Sequence, residues 1–257
     1  MKLGFCGSID QAAMIKDCGY DYIEMNLSSL AALSETDFTQ TVRLLEKAGL
    51  PCLALNVFLP GTIRITGKDT DPALIRQYVQ KALARAGQIG AKTVVFGSSA
   101  ARSIPAGFPP GLALRQVMDF AAVAAEIAAG HGIVLALEPL APTECNLINR
   151  VGEAWILMHA IDHPHFKVLA DYYHMAVGQE DLSVLEHAGT DLYHVHTATL
   201  HGRKIPLAQD ILPQRLLVQS LKSIGYGRTL SIEAGCRANL DSEAREAQIM
   251  FRQLLAE

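Results

Sequence analysis

Short apolar runs recur along the chain and alternate with stretches whose apolar residues repeat at helical spacing. Runs of this length are typical of buried parallel strands. They predict eight strands, at residues 3–6, 22–26, 52–58, 93–98, 133–139, 167–172, 192–197 and 229–235. Between them the pattern predicts helices, most clearly at residues 72–89, 111–130, 151–161, 208–224 and 242–256.

Glycine repeatedly stands between a helix-like stretch and the apolar run that follows it. The examples are Gly19, Gly49, Gly90, Gly132 and Gly225. Glycine adopts the left-handed conformation past a helix end at little cost. Each of these glycines is therefore interpreted as a return from a helix to the next strand.

This alternation over 257 residues predicts a single α/β domain, residues 1–257, folded as a (β/α)8 TIM barrel. The alternative is an open, doubly wound sheet. Such a sheet usually carries a glycine-rich phosphate loop after its first strand, whereas this chain has Cys6-Gly7-Ser8-Ile9-Asp10 there. The barrel is therefore the favoured fold.

Composition narrows the classes of partner. The chain has a net charge of −4 and no basic surplus, which argues against binding nucleic acid. Its five cysteines are scattered and odd in number, as expected for reduced thiols rather than a disulfide framework. No signal-peptide core and no membrane-spanning run is present. These features predict a cytoplasmic protein without a membrane partner.

Four of the predicted strands end on a polar residue, namely Glu138, Asp171, His196 and Glu233. Any one of them alone is an ordinary solvated residue at a strand end. Strands five to eight of a barrel, however, open at one mouth, where these side chains would meet. Three carboxylates and one imidazole suit a single divalent metal ion, with Mn²⁺, Mg²⁺ or Co²⁺ favoured and Zn²⁺ as an alternative.

The residues around these positions form recognisable blocks. They read Leu137-Glu138-Pro139-Leu140, Asp171-Tyr172-Tyr173-His174-Met175, His194-Val195-His196-Thr197 and Ile232-Glu233. In these blocks the sequence resembles the sugar phosphate isomerase/epimerase family with the xylose isomerase-like barrel. It is most similar to the ketose 3-epimerase and hydroxypyruvate isomerase branch.

The resemblance implies a role for each matching residue. Glu138, Asp171, His196 and Glu233 would bind one metal ion, and Glu138 and Glu233 would also move a substrate proton as acid and base. Glu144, His174 and Arg203 would contact substrate oxygens. Arg203 lies seven residues after His196, where relatives have six, so His201 or Lys204 could share its role. The family also leads us to expect a homodimer or homotetramer.

The chemistry expected of this set is proton transfer next to a carbonyl through an enediolate. Return of the proton to the same carbon gives epimerisation, and return to the adjacent carbon gives aldose–ketose isomerisation. A lyase or dehydratase acting on a keto-sugar or keto-inositol would use the same site. A hydrolase resembling AP endonucleases is disfavoured, because it needs further histidines on early strands and this chain has none before His131.

Three further interpretations concern neighbouring residues. His194 is interpreted as a packed histidine on the other side of its strand from His196. Glu24 ends the second strand, and it either reaches the mouth or forms a structural salt bridge. A phosphate on the substrate would need cations, for which Arg102, Arg203 and Lys204 are the candidates.

Overall fold

Eight parallel strands close into a barrel in the order in which they occur along the chain. The computed structural model describes residues 1–257. The strands are β1 (Lys2–Cys6), β2 (Tyr22–Asn26), β3 (Cys52–Asn56), β4 (Thr93–Phe96), β5 (Val134–Leu137), β6 (Phe166–Asp171), β7 (Leu192–Thr197) and β8 (Thr229–Ile232). The predicted (β/α)8 barrel is confirmed, and the open sheet is excluded because β1 pairs with β8.

Helices cover the outside of the barrel and connect its strands. They are α1 (Ala12–Asp17), α2 (Leu27–Ala32), α3 (Glu35–Ala48), α4 (Pro72–Gln88), α5 (Ser99–Arg102), α6 (Pro110–Ala129), α7 (Val151–Ile161), α8 (Tyr172–Val177), α9 (Val184–Ala188), α10 (Ile211–Ser223) and α11 (Leu240–Ala256). The five helices predicted from the pattern correspond to α4, α6, α7, α10 and α11. None of the helices has the length and apolar character needed to cross a membrane.

Several strands end earlier than the apolar runs suggested, for local reasons. Val57 follows β3 with a φ of 48°, and Ser98 lies beyond β4 with a φ of 41°, so the backbone leaves the extended region at both places. Pro139, two residues after β5, has no N–H to donate to a neighbouring strand. Glu138 and Glu233 therefore stand one residue beyond their strands, at the mouth of the barrel.

The glycines interpreted as helix-to-strand returns all have positive φ. The values are 91° at Gly19, 61° at Gly49, 87° at Gly90, 65° at Gly132 and 68° at Gly225. The pattern therefore identified the local conformation of five connections as well as their position.

The barrel interior is apolar on one side and polar on the other. Val95, Ala136 and Leu169 pack together there, while their strand neighbours join the large core between strands and helices. On the polar side, the Tyr22 ring fills the space beside Gly4, where any Cβ would collide with it. The Tyr22 hydroxyl hydrogen bonds with Ser231 Oγ at 2.7 Å.

His194 is a packed, fully buried histidine as predicted, but its assignment to the other side of the strand from His196 is wrong. His194 and His196 both lie 2.8 Å from the carboxylate of Glu24. Because β2 and β7 are not neighbours in the barrel, this contact crosses the interior. Residues two apart on a strand share a face, so both histidines point inward. Glu24 is likewise fully buried inside the barrel and pairs with both rings.

Candidate metal centre

The four polar residues at the strand ends meet at the mouth of the barrel. Glu138 follows β5, Asp171 ends β6, His196 lies in β7 and Glu233 follows β8. One potential ligand atom from each lies within 4.8 Å of the others. The pairing of β6 with β7 sets Asp171 beside His196. The sequence-predicted set is therefore brought together in space.

His196 lies at the centre of the cluster. Its Nδ1 is 3.2 Å from Oε1 of Glu138 and 3.3 Å from Oε2 of Glu233. Burial opposes a charged ring, but Glu24 and Glu233 together raise the pKa of His196 well above its ordinary value. Because Nδ1 faces two carboxylates, it is the nitrogen that is directed toward a shared ligand position.

The three carboxyl groups have unequal electrostatic surroundings. Burial raises the pKa of Glu138 above its ordinary value, although the hydrogen bond from His196 opposes the rise. Burial likewise raises the pKa of Asp171 to about 6 against the opposing effect of Arg203. Burial alone would raise the pKa of Glu233, but His196 and Arg203 lower it. Crowded carboxyl groups whose charge is costly to bury are stabilised by a cation.

The donor chemistry fits a hard divalent ion. Three carboxylates and one imidazole suit Mn²⁺, Mg²⁺ or Co²⁺. A second group, Cys6 with Glu24 and His196, also places its potential ligand atoms within 4.8 Å of one another. Burial raises the pKa of the Cys6 thiol, which disfavours the thiolate that would bind a metal. The cluster containing Glu138 is therefore the better cation site.

Arg203 reaches the cluster despite its longer spacing from His196. Its backbone is left-handed, with a φ of 49°. Its guanidinium contacts Oε2 of Glu233, lies 3.2 Å from Oδ2 of Asp171 and 3.7 Å from Oε1 of Glu144. Of the two residues that could share its role, His201 is exposed, and the Lys204 amine donates to the carbonyl of Cys236 at 3.1 Å.

His174 presents a free hydrogen-bond donor to the same space. The N–H of Ala141 donates to its Nδ1 at 3.2 Å, so the proton of the neutral ring is on Nε2. That Nε2 is buried without a hydrogen-bond partner and lies 3.6 Å from Oδ2 of Asp171. Burial lowers the pKa of His174, which favours the neutral ring. Glu144, at the rim, is 3.9 Å from Nδ1 of His174.

Two residues that support the cluster were not predicted from the sequence. Asn56 ends β3, and its amide donates to Oε1 of Glu233 at 3.1 Å. The signal was available, because Asn56 follows an apolar run just as the four predicted ligands do. Gly97 follows β4, and because it has no side chain the Glu138 carboxylate can occupy the space beside it.

Arg102 is not available to bind a substrate phosphate. It is completely buried, and its guanidinium donates to the carbonyl of Glu138 at 2.8 Å and of Phe96 at 3.2 Å. The sequence suggested a surface cation because Arg102 lies in a proline- and glycine-rich segment. Its guanidinium instead lies against the backbone of Glu138.

Known proteins share this architecture. A family model described as the xylose isomerase-like TIM barrel matches residues 12–254. The 3-dehydro-D-guloside 4-epimerase of Escherichia coli (strain K12) is 24% identical over 243 residues, which are 92% of this chain and 90% of that protein.

Solved structures of sugar epimerases also superpose on the chain. D-psicose 3-epimerase in the presence of D-fructose gives a TM-score of 0.88 at 17% identity and covers 100% of both chains. The apo form of 3-keto-D-glucoside 4-epimerase from E. coli gives a TM-score of 0.82 at 21% identity, again over 100% of both chains. At these identities the likeness establishes the fold.

Proposed function

This chain belongs to the xylose isomerase-like TIM barrel family, and on that premise we propose that it is a metal-dependent sugar epimerase or isomerase. The observation that carries the proposal is the convergence of Glu138 and Glu233 on Nδ1 of His196, at 3.2 and 3.3 Å. Their strands, β5 and β8, are separated by β6 and β7 in the barrel. Two carboxylates approach one point from different strands, as proton transfer on two faces of a carbon requires.

The proposed ligands of the ion are Glu138, Asp171, His196 and Glu233, and Mn²⁺ is the proposed ion. When bound, a divalent ion polarises a substrate carbonyl and acidifies the neighbouring C–H bond. One of the two glutamates takes that proton, and the resulting carbanion is delocalised as an enediolate. The other glutamate returns a proton to the opposite face, which inverts the carbon.

Three residues at the mouth would orient the sugar. The unpartnered Nε2–H of His174 and the guanidinium of Arg203 donate hydrogen bonds to substrate oxygens. Glu144, at the rim, accepts one from a substrate hydroxyl. The buried unpartnered donor supports this assignment, because such a group is costly unless a ligand satisfies it.

We further propose that the substrate carries no phosphate. The cations considered for a phosphate are already engaged. The positive charge of Arg203 is already balanced by Glu233 and Asp171, although its remaining N–H groups can still donate to neutral sugar oxygens. Arg102 lies buried below Glu138, and Lys204 is bonded to a backbone carbonyl. A phosphate would have to displace one of these contacts.

The backbone amides after β8 are also occupied. TIM barrels often bind phosphate at the loops that follow strands seven and eight. Here the N–H groups of Arg237, Ala238 and Asn239 all donate to the carboxylate of Glu243. The Arg237 side chain pairs with Asp210 at 3.0 Å. An internal carboxylate therefore occupies the position that an anionic substrate group would need.

The test is proton exchange with solvent. Protein loaded with Mn²⁺ is incubated in D₂O with D-psicose, D-fructose, a 3-keto-glucoside and the phosphorylated forms of the two ketoses, and the products are analysed by NMR and mass spectrometry. We expect one deuterium at a carbon next to the carbonyl and conservation of the sugar skeleton. A product lighter by one water would indicate a lyase, and no exchange in any free or phosphorylated keto-sugar would refute the proposal.

A further inference from the structure

One buried carboxylate connects the two histidines of β7. Oε1 of Glu24 is 2.8 Å from Nε2 of His196, and Oε2 of Glu24 is 2.8 Å from Nε2 of His194. Ser231 Oγ donates to the same Oε2 at 2.6 Å. All four side chains are fully buried. Neither the chemistry proposed above nor the substrate contacts assign a task to Glu24.

The hydrogen bonds determine where protons lie on the rings. An ionised carboxylate only accepts hydrogen bonds, so Nε2 of both histidines carries a proton. The proton on Nε2 of His196 leaves Nδ1, on the opposite side of the ring, directed at Glu138 and Glu233. On His194 the other nitrogen, Nδ1, lies 2.8 Å from Thr229 Oγ1. Both rings therefore donate to Glu24, but the second nitrogen of His196 faces two carboxylates and that of His194 faces a hydroxyl.

We propose that Glu24 is a positioning residue for the metal centre. By holding the proton on Nε2 of His196 it makes Nδ1 the nitrogen offered to a divalent ion, and it fixes the rotation of the ring. Carboxylates bonded to a metal-binding histidine commonly tune metal affinity in this way. This proposal rests on the metal dependence proposed above, and it is independent of which sugar is the substrate.

His194 and Ser231 hold the positioning carboxylate in place. Their hydrogen bonds fix Oε2 of Glu24, while Oε1 contacts His196. Ser231 binds it from β8 and is itself bonded to the Tyr22 hydroxyl. The arrangement therefore extends from the mouth of the barrel to Thr229, the first residue of β8. If Glu24 served only to accept a hydrogen bond from the buried His194, its bond to His196 would not be needed.

The test compares two nearly isosteric substitutions. In Glu24→Gln the amide oxygen can still accept a hydrogen bond, but the amide nitrogen only donates. The side chain can therefore accept from the Nε2–H of only one histidine. In His194→Gln the amide still donates to Glu24, and the bond between Glu24 and His196 is retained. We expect the Mn²⁺ dissociation constant, measured by titration calorimetry, to rise about 10- to 100-fold in Glu24→Gln. It should stay within about threefold of the wild-type value in His194→Gln, in keeping with an intact bond to His196.

A second measurement needs no variant. In wild-type protein loaded with diamagnetic Zn²⁺, long-range ¹H–¹⁵N NMR locates the ring proton of His196. A proton on Nε2 supports the proposal, and a proton on Nδ1 overturns it.

Thermal unfolding of Glu24→Gln distinguishes a purely structural role. If Glu24 were purely structural, the substitution would lower the thermal midpoint without changing Mn²⁺ affinity, which also overturns the proposal.

The outcomes separate this inference from the proposed function. If wild-type protein binds no divalent ion, the metal centre fails and the role of Glu24 fails with it. If wild-type protein binds Mn²⁺ and folded Glu24→Gln binds it equally well, only the role of Glu24 is refuted.

Discussion

The carboxylate of Glu138 occupies the space beside Gly97. A Cβ at Gly97 would collide with Oε2 of Glu138. Two hydrogen bonds hold the main chain of Glu138 in place. Its N–H donates to the carbonyl of Phe96 at 3.2 Å, and its carbonyl accepts from the guanidinium of Arg102 at 2.8 Å. The residues that follow β4 thus set the position of a proposed acid/base group that follows β5.

Substituting Gly97→Ala tests this relationship. The added methyl group forces the Glu138 carboxylate to rotate, while the anchored backbone stays in place. We expect kcat to fall at least about tenfold, since small misplacements of reacting groups have large effects on rate. Thermal unfolding should change little, because the clash is with the end of a flexible side chain. The matched control is Gly111→Ala, where a Cβ meets nothing within 4 Å; equal kcat in both variants would contradict the argument.

Glu138→Gln and Glu233→Gln test the acid/base assignment. The amide keeps the size of the side chain but neither accepts nor returns a proton at neutral pH. We expect each substitution to lower the rate of deuterium exchange by about 10²- to 10⁴-fold. Glu126→Gln, an exposed change on α6, serves as the control. Near-normal exchange in either site variant would remove that glutamate from the mechanism.

Removal of the metal tests the composition of the centre. A chelator should abolish activity, and Mn²⁺ or Co²⁺ should restore it. Because an ion bound only by the folded state stabilises it, the thermal midpoint should rise with metal concentration. Zn²⁺ and Mg²⁺ are run in parallel to rank the ions. Full activity in protein shown to be metal-free would refute the assigned site.

Metal affinity should depend on pH through Asp171. Burial raises the pKa of this carboxyl to about 6 in the absence of an ion. Above that pH the group is ionised and ready to bind; below it, the ion has to displace a proton. We therefore expect the Mn²⁺ affinity, measured by titration calorimetry, to fall more steeply with pH below pH 6 than above pH 7, by about one further factor of ten for each pH unit and displaced proton. Above pH 7 the remaining dependence comes from the proton that His196, whose pKa is raised, has to release. Affinity independent of pH between 5 and 7 would contradict the raised pKa.

Much of the fold follows from patterns that are local in the sequence. Apolar runs identified all eight strands, and glycines marked five left-handed returns at the positions where the structure has them. The four proposed ligands were visible because each follows directly on an apolar run. Once the strands are known to be parallel, their carboxyl ends have to lie on one side of the barrel.

The supporting residues could not be predicted in the same way. Strands buried on both faces have apolar residues at nearly every position, so the pattern does not indicate which side chains point inward. The assignment of His194 to the other side of its strand has a different cause, because residues two apart share a face and the spacing from His196 already indicated the same side. Arg102 belongs to a segment with the composition of an exposed loop, and only its contacts with Phe96 and Glu138 bury it.

The sequence by itself determined the barrel, the strands and the four residues at the mouth, because hydrophobic spacing and turn chemistry act between near neighbours. Tertiary structure alone decided that Glu24 on β2 meets His196 on β7 and that Asn56 on β3 meets Glu233 after β8. Those contacts join positions far apart in the chain. They depend on the closure of the barrel and the register of its strands, which bring distant polar groups into hydrogen-bonding range in the buried interior.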